Sequence, residues 1–212
     1  MPTLATLDTS HLLALAAALG WASGFRLYAV VFLVGLSGML GWITLPTGLS
    51  VLQHPAMLMA SGFMLCVEFF ADKIPGLDSL WDLVHSVIRI PAGAILAAGA
   101  LGADSASMTA VAALLGGTLA ATSQAAKTTT RAAINTSPEP FSNVMASLVE
   151  DGLVVGTVWL ASRHPVVFGV LLAVMVVLMW IVTRLLFKFL RAVFRRAAAF
   201  FSLAKTVENS RS

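Results

Sequence analysis

Residues 11–42 read HLLALAAALGWASGFRLYAVVFLVGLSGMLGW. Long apolar runs of this kind, without the alternation of a strand, indicate helices. As one helix the stretch would be about 48 Å long, which exceeds the roughly 30 Å of a bilayer's hydrocarbon core. Because Gly20 and Gly24 offer a break, we predict a short helix over 11–21 and a full membrane span over about 24–42.

The whole chain shares this apolar character. Of its 212 residues, 58% are hydrophobic and 11% are charged, and the mean hydropathy is +0.91. A typical soluble domain has about 25% charged residues, and a fold of this size cannot hide so much apolar surface. The composition argues against a soluble enzyme, a disordered chain and a nucleic-acid-binding module. We expect an all-α, polytopic transmembrane helical bundle without a nucleic-acid partner.

Apolar runs and proline positions predict the other elements. Residues 77–90 have mixed polarity, and we expect an amphipathic helix at the cytoplasmic interface there. We expect about six spans, in addition to the short broken N-terminal helix and the interfacial helix. The spans are predicted over about 24–42, 55–72, 91–103, 107–135, 141–161 and 165–187, with a turn at 137–140.

The basic residues divide the chain and predict its orientation. Six of the 13 Lys and Arg residues lie in 188–212, which we interpret as a basic amphipathic tail following a bundle at 1–187. Lys and Arg gather on the cytoplasmic side of membrane proteins, so we predict a multi-pass protein of the bacterial inner membrane with a cytoplasmic C-terminus. The side of the N-terminus stays open. Four tail cations are expected to bind anionic phospholipids of the cytoplasmic leaflet: Lys188, Arg191, Arg195 and Arg196.

Ionisable residues within apolar spans are the candidate functional residues. Each one is unfavourable by at least about 2.5 kcal/mol near the centre of a membrane helix, so we expect these groups to meet inside the bundle. They would then form a substrate- or ion-binding site, or only neutralise one another and fix the helix register. The candidates are Arg26, Glu68, Asp72, Lys73, Lys127, Arg131, Asn135, Glu150 and Asp151.

The segment 77–90 has two interpretations. In one, its helix lies at the interface, where Trp81 anchors it and Arg89 faces the lipid surface. In the other, Asp78 and Asp82 hold a divalent cation, since carboxylates one turn apart can reach one hard cation. Arg89 would then assist at a lipid phosphate. A lone Asp-x-x-x-Asp pair also occurs without a metal, and no cofactor is assigned.

Several motifs follow one another along the chain. They are Val67-Glu-Phe-Phe-Ala-Asp-Lys-Ile-Pro-Gly-Leu-Asp78, Trp81-Asp-Leu-Val-His85, Ile90-Pro-Ala-Gly-Ala94, Asn135-Thr-Ser-Pro-Glu-Pro-Phe-Ser-Asn143 and Val149-Glu-Asp151. Together they resemble the bacterial membrane family labelled domain of unknown function 4126, over roughly residues 20–185. The resemblance implies an integral inner-membrane protein and supplies neither an activity nor a substrate.

Three functions are open at this point. The first is a small secondary transporter or an ion- or proton-conducting protein with a buried charged site. The second is a membrane enzyme or lipid-phosphate-binding protein that uses a divalent cation. The third is a non-catalytic membrane scaffold, and a homo-oligomer fits each of the three. We prefer the first, because stapling a small bundle requires fewer ionisable groups than these spans contain.

Overall fold

The computed structural model describes residues 8–74, 76–102, 106–136 and 140–209, and the regular structure in them is helix, joined by short turns. This confirms the predicted all-α helical bundle. Five helices are long and apolar enough to cross a membrane, and one bent pair makes a sixth candidate, which indicates a membrane protein. The elements are α1 (Thr9–Met39), a 3-10 helix (Thr47–Gln53), α2 (Pro55–Ala71), α3 (Leu77–Leu101), α4 (Ala106–Ile134), α5 (Pro140–Arg163) and α6 (Pro165–Asn209).

Helix α1 is broken at Arg26 and doubles back on itself. Arg26 has φ −146° and ψ 83°, which are not helical values. A straight helix of 31 residues would hold its ends about 46 Å apart. Leu15, before the break, and Ile43, after the helix, nevertheless line the same cavity. The arms 9–25 and 27–39 therefore form a hairpin with Arg26 at its tip.

This hairpin corrects the prediction for the first part of the chain. The break lies at Arg26 and not between Gly20 and Gly24. Because the arms are only about 20–26 Å long, neither matches the hydrocarbon core, and 24–42 is not a separate full span. Both ends of α1 lie at the same end of the bundle, called here the N-terminal end. The opposite end, where α6 leaves, is called the tail end.

The glycines of the first arm serve close packing. A Cβ atom added at Gly20 would lie 2.6 Å from Cα of Gly116 on α4, so two helix backbones touch there. Gly24 likewise faces Ala120 and Ser123. Small residues are what permits such approach in lipid, and the Gly-x-x-x-Gly spacing of the first arm is used in this way. The similar pair Gly152 and Gly156 is not, since an added Cβ would meet nothing within 4 Å at either residue.

Helix α3 runs without interruption from Leu77 to Leu101, with Pro91 inside it. The predicted interfacial helix and the following short span are thus one helix. Its polar face is buried and its apolar face is exposed, with Leu83 at 64% and Val87 at 75% exposure. In a lipid bilayer the outward face is the apolar one, so the amphipathic pattern is inverted relative to the prediction. Gly76, whose φ is +87°, makes the turn into this helix.

Helix α6 extends well past the bundle. Its 45 residues correspond to about 67 Å, more than twice a hydrocarbon core, and the predicted boundary at 187/188 falls inside it. The tail cations are exposed as far as the side chains are described: Lys188, Arg191, Arg195 and Arg196. Side chains from 197 onward, and residues 137–139 of the predicted turn, lie outside the described part.

Candidate functional site

Eight ionisable side chains meet in the half of the bundle nearer the tail end. We call them the buried charge network, because each is at most 6% exposed. Four are cations and four are acids, and they come from α1, α2 and the residue after it, α3, α4 and α5. Asp151 adjoins the network at its edge, with a side chain 32% exposed. The network consists of Arg26, Glu68, Asp72, Asp82, Arg89, Lys127, Arg131 and Glu150.

Arg89 holds the part of the network on α2 and α3. Its guanidinium contacts Glu68 Oε1, and its Nη1 donates to Asp82 Oδ1 at 2.7 Å and to Gln124 Oε1 at 2.9 Å. Sequence analysis placed Arg89 at the lipid surface. That was wrong, because Arg89 is 0% exposed and lies on the inward polar face of α3.

Lys127 joins the two parts of the network. Its Nζ lies 3.3 Å from Asp72 Oδ2, 3.1 Å from Asp82 Oδ1 and 3.3 Å from Glu150 Oε2. It also donates to the backbone oxygen of Phe25 at 3.1 Å. That carbonyl belongs to the last turn of the first hairpin arm, where helix carbonyls lack intrahelical partners. A cation at this end of a helix is favourable, so the hairpin tip and the network support each other.

Arg131 binds Glu150 with two hydrogen bonds. Its Nε donates to Oε1 at 3.2 Å and its Nη2 to Oε2 at 3.1 Å. The remaining nitrogen, Nη1, donates to the backbone oxygens of Asp72 and Asn143, both at 3.0 Å. This planar, two-point pairing is the arrangement that arginine forms best with carboxylates.

Arg26 lies at the hairpin tip and faces α2 and α5. Its Nη2 is 2.9 Å from Asp72 Oδ2 and donates to Ser147 Oγ at 2.5 Å. Its Nε is 2.8 Å from Asp151 Oδ1. Arg26 is therefore both the residue at which α1 breaks and the residue that contacts three side chains of neighbouring elements. These polar contacts hold the hairpin tip in position.

Several buried polar atoms of the network have no hydrogen-bond partner among the described residues. The set contains acceptors and donors, and buried polar atoms of native proteins normally have a partner, either a protein group or an ordered water molecule. The network therefore has unused capacity to bind a proton, a water molecule or a small polar ligand. The atoms are Arg26 Nη1, Glu68 Oε2, Asp72 Oδ1, Asp82 Oδ2 and Arg89 Nε.

Lys73 and Asn135 were predicted as members of the same site and lie beside it. Lys73 Nζ donates to the backbone oxygen of Phe69 at 3.2 Å and sits 2.6 Å from the centre of that ring. Asn135 donates to Asp78 Oδ1 at 2.9 Å and accepts from Asn143 at 2.8 Å. This second polar cluster joins α3, α4 and α5 at the tail end.

The two acids of the predicted metal pair have different partners. Asp78 accepts from Asn135 and from the Gly76 N–H at 2.8 Å, while Asp82 pairs with Arg89 and Lys127. In the part of the chain that the structure describes, no three His, Cys, Asp or Glu side chains are placed to hold a metal ion. Trp81, expected at the lipid surface, is half-buried and its ring stacks on His85 at 3.9 Å.

Three polar partners of the network were not among the predicted site residues. Ser147 and Asn143 are 0% exposed and Gln124 is 4% exposed. A signal was present on α5, where Asn143, Ser147 and Glu150 recur at helical spacing on one face. Uncharged polar residues of that kind are common in membrane helices, and the pattern alone did not separate them from packing residues.

The comparisons with known proteins give one result. The family described as "Domain of unknown function (DUF4126)" matches residues 13–185. The chain belongs to this family. No curated protein and no solved structure matches the chain. The DUF4126 match contains the whole buried charge network and Asp151, whereas the cationic end of α6 from Lys188 onward lies outside it.

Proposed function

We propose that this DUF4126 protein is a small secondary transporter or an ion- or proton-conducting protein, with the buried charge network as its site. The observation that carries the proposal is the convergence of eight buried ionisable side chains on the tip of a broken helix. Titratable groups clustered inside a membrane are typical of ion and proton pathways. Broken helices that expose backbone groups next to such sites are a recurrent feature of secondary transporters.

The composition of the network favours this function over a scaffold. A buried ion pair contributes little net stability, because desolvation offsets most of the attraction between the charges. A purely structural network would also be expected to satisfy its own polar atoms. Here three carboxylate oxygens and two guanidinium nitrogens have no partner among the described residues, which suits groups that exchange partners during a transport cycle.

We further propose an orientation in the bacterial inner membrane. The tail end, with the exposed cations of α6, lies in the cytoplasm and binds anionic phospholipids. The N-terminus then lies outside, because both ends of the α1 hairpin are at the opposite end of the bundle. The test is a pair of green fluorescent protein fusions in a bacterial host. We expect fluorescence from the C-terminal fusion only, and fluorescence from the N-terminal fusion alone would contradict the orientation.

The functional test is flux in proteoliposomes. Protein would be reconstituted with an internal pH-sensitive dye, and a potassium diffusion potential would drive proton entry; the same vesicles would be tested for sodium and potassium flux. We expect a flux that Glu150→Gln abolishes while the variant keeps a monodisperse elution profile. Arg163→Gln, at an exposed residue outside the network, is the matched control and should keep the flux.

Two results would overturn the proposal. One is a Glu150→Gln variant that is folded and conducts every measured ion at the wild-type rate. The other is a folded wild-type protein that raises no flux above protein-free vesicles under either sign of the potential.

A further inference from the structure

A groove on the side of the bundle ends at the buried charge network. It lies between α2 and α5, the second arm of α1 forms its floor, and its volume is about 480 Å³. Its walls are apolar apart from Asp151, which is the one charged residue among those that line it. Since the rest of this surface faces lipid, the groove is open to molecules dissolved in the membrane.

Asp151 connects the groove to Arg26. Its Oδ1 lies 2.8 Å from Arg26 Nε, so a guanidinium that is itself 0% exposed already binds a carboxylate at the groove's inner end. Among the residues that the structure describes, Arg26 Nη1 has no hydrogen-bond partner. A planar guanidinium binds a carboxylate best with two nitrogens, and Arg26 therefore has a spare donor for a ligand in this position.

The charge balance makes Asp151 the exchangeable partner. The eight residues of the buried charge network contain four cations and four acids, so Asp151 is an acid additional to a balanced network. The charged groups that act on it from the neighbouring elements are Arg26 on α1, Asp72 and Lys73 after α2, and Lys127 on α4; Glu150 precedes it on α5. Replacing the Asp151 carboxylate on Arg26 by another carboxylate leaves the charge of the site unchanged.

We propose that the groove binds an amphiphilic monocarboxylic acid of the fatty-acid class, whose carboxylate takes the place of Asp151 on Arg26. The alkyl chain lies in the groove, whose volume is in the range of small-molecule sites. The entering acid transfers its proton to Asp151 and binds as the anion. One O–H bond breaks on the ligand, one forms on Asp151, and no net charge enters the site.

This inference rests on the proposed function in taking the network as the substrate site, and it deepens that function by naming a substrate class. The two can fail separately, because the binding test below measures no flux. Protection without flux overturns transport and keeps the carboxylate site. Flux without protection overturns the carboxylate site and keeps transport.

The native sequence supplies the probe for the test. Cys66 is the only cysteine of the chain, and it is an exposed residue of the groove wall. The protein would be placed in phosphatidylcholine nanodiscs, and the rate of Cys66 modification by a small maleimide would be measured with increasing dodecanoate. Methyl dodecanoate, which has the same chain without an acid group, is the matched control ligand.

Two variants at the edge of the site sharpen the test without disturbing the core. In wild type, dodecanoate should slow the modification of Cys66 and methyl dodecanoate should not. Asp151→Asn removes the competing carboxylate and should lower the half-protecting dodecanoate concentration about tenfold, the effect of one charged hydrogen bond. Val155→Trp fills the groove at a residue that is 53% exposed and should abolish protection.

The control for an effect of dodecanoate on the lipid itself is a second cysteine site. In Cys66→Ser with Val170→Cys, the thiol lies on α6 at a position that is 63% exposed and is not part of the groove, so its modification should not change. Equal protection by the acid and its methyl ester would overturn the proposal. So would an Asp151→Asn protein that elutes as wild type and is half-protected at the wild-type dodecanoate concentration.

Discussion

The two halves of the bundle are held together by opposite means, although the same helices run through both. Toward the N-terminal end, α1, α3 and α4 touch backbone to backbone at Gly20, Gly93 and Gly116. Toward the tail end, the same three helices are joined through Arg26, Arg89 and Lys127 and the acids that these bind. At these glycines the first half leaves no room for a side chain, whereas in the second half charged side chains fill the space between the helices.

The difference indicates where rigidity and change reside in the molecule. Close backbone packing has no partner to exchange, because it depends on shape alone. An ion-pair network can rearrange, since Asp72, Asp82 and Glu150 each pair with more than one cation. We therefore expect the N-terminal half to act as the fixed part and the network half to act as the part that changes during function.

The largest effect is expected from a side chain forced into the packed half. In Gly116→Leu, the added Cβ would run into Ala97 and lie 2.7 Å from the backbone oxygen of Gly93. Ordinary overpacking costs about 1–3 kcal/mol, and here the obstacle is backbone that cannot shift. We expect no folded monomer in size-exclusion chromatography. Gly152→Leu, where nothing lies within 4 Å, should elute as wild type, and equal behaviour of the two variants would contradict the packing.

The next effect comes from removing one cation of the network. Arg89→Met leaves Glu68 and Asp82 buried without their main partner, and breaking a buried pair in this way costs about 3–5 kcal/mol. The measurement is the free energy of unfolding in detergent. Arg163→Met, at an exposed residue, should change it by less than about 0.5 kcal/mol. A loss for Arg89→Met as small as that of the control would mean that the two acids are solvated.

Two features of the molecule could be predicted from the sequence alone. The apolar runs predicted the helices α4 and α5 within a few residues, because hydropathy in lipid depends on local composition. The convergence of Arg26, Lys127 and Arg131 with the acids was expected from the cost of burying charge. Both predictions require only the composition of each helix taken singly and the knowledge that its surroundings have a low dielectric constant.

The rest depends on how the helices are arranged. The glycines at 20 and 24 indicated a break, but its position and the reversal at Arg26 depend on contacts with α2 and α5. Arg89 was placed outward because an amphipathic helix at a membrane surface and one inside a bundle have the same periodicity. The hydropathy pattern does not show which face of α3 meets lipid. The polar face lies inward because Arg89 there pairs with Glu68 and Gln124 of neighbouring helices.

A smaller effect is expected when the Arg89 centre is removed as a whole. The variant Glu68→Gln, Asp82→Asn and Arg89→Met removes both acids together with the arginine that binds them, and Lys127 keeps Asp72 and Glu150 as partners. Replacing an entire buried ionic group is often neutral for stability, so we expect most of the loss caused by Arg89→Met to be recovered, to within about 1 kcal/mol of wild type. If the triple variant has a lower free energy of unfolding than Arg89→Met, the ionic group contributes net stability to the bundle, and the expectation that it is nearly neutral is wrong.

The smallest effect is expected at the boundary between the two halves. Ser123 Oγ donates to the backbone oxygen of Trp21 at 2.7 Å, which joins α4 to the first arm of α1. Hydrogen bonds between membrane helices average about 0.6 kcal/mol, because the unfolded chain in the membrane also finds partners. Ser123→Ala should therefore lower the free energy of unfolding by about that amount.

The matched control is Thr118→Ala, whose hydroxyl is exposed and bonds only within α4 to Leu114, and it should have no measurable effect. If Ser123→Ala lowered the free energy of unfolding by more than about 2 kcal/mol, polar contacts rather than backbone packing would hold the first arm of α1 against α4.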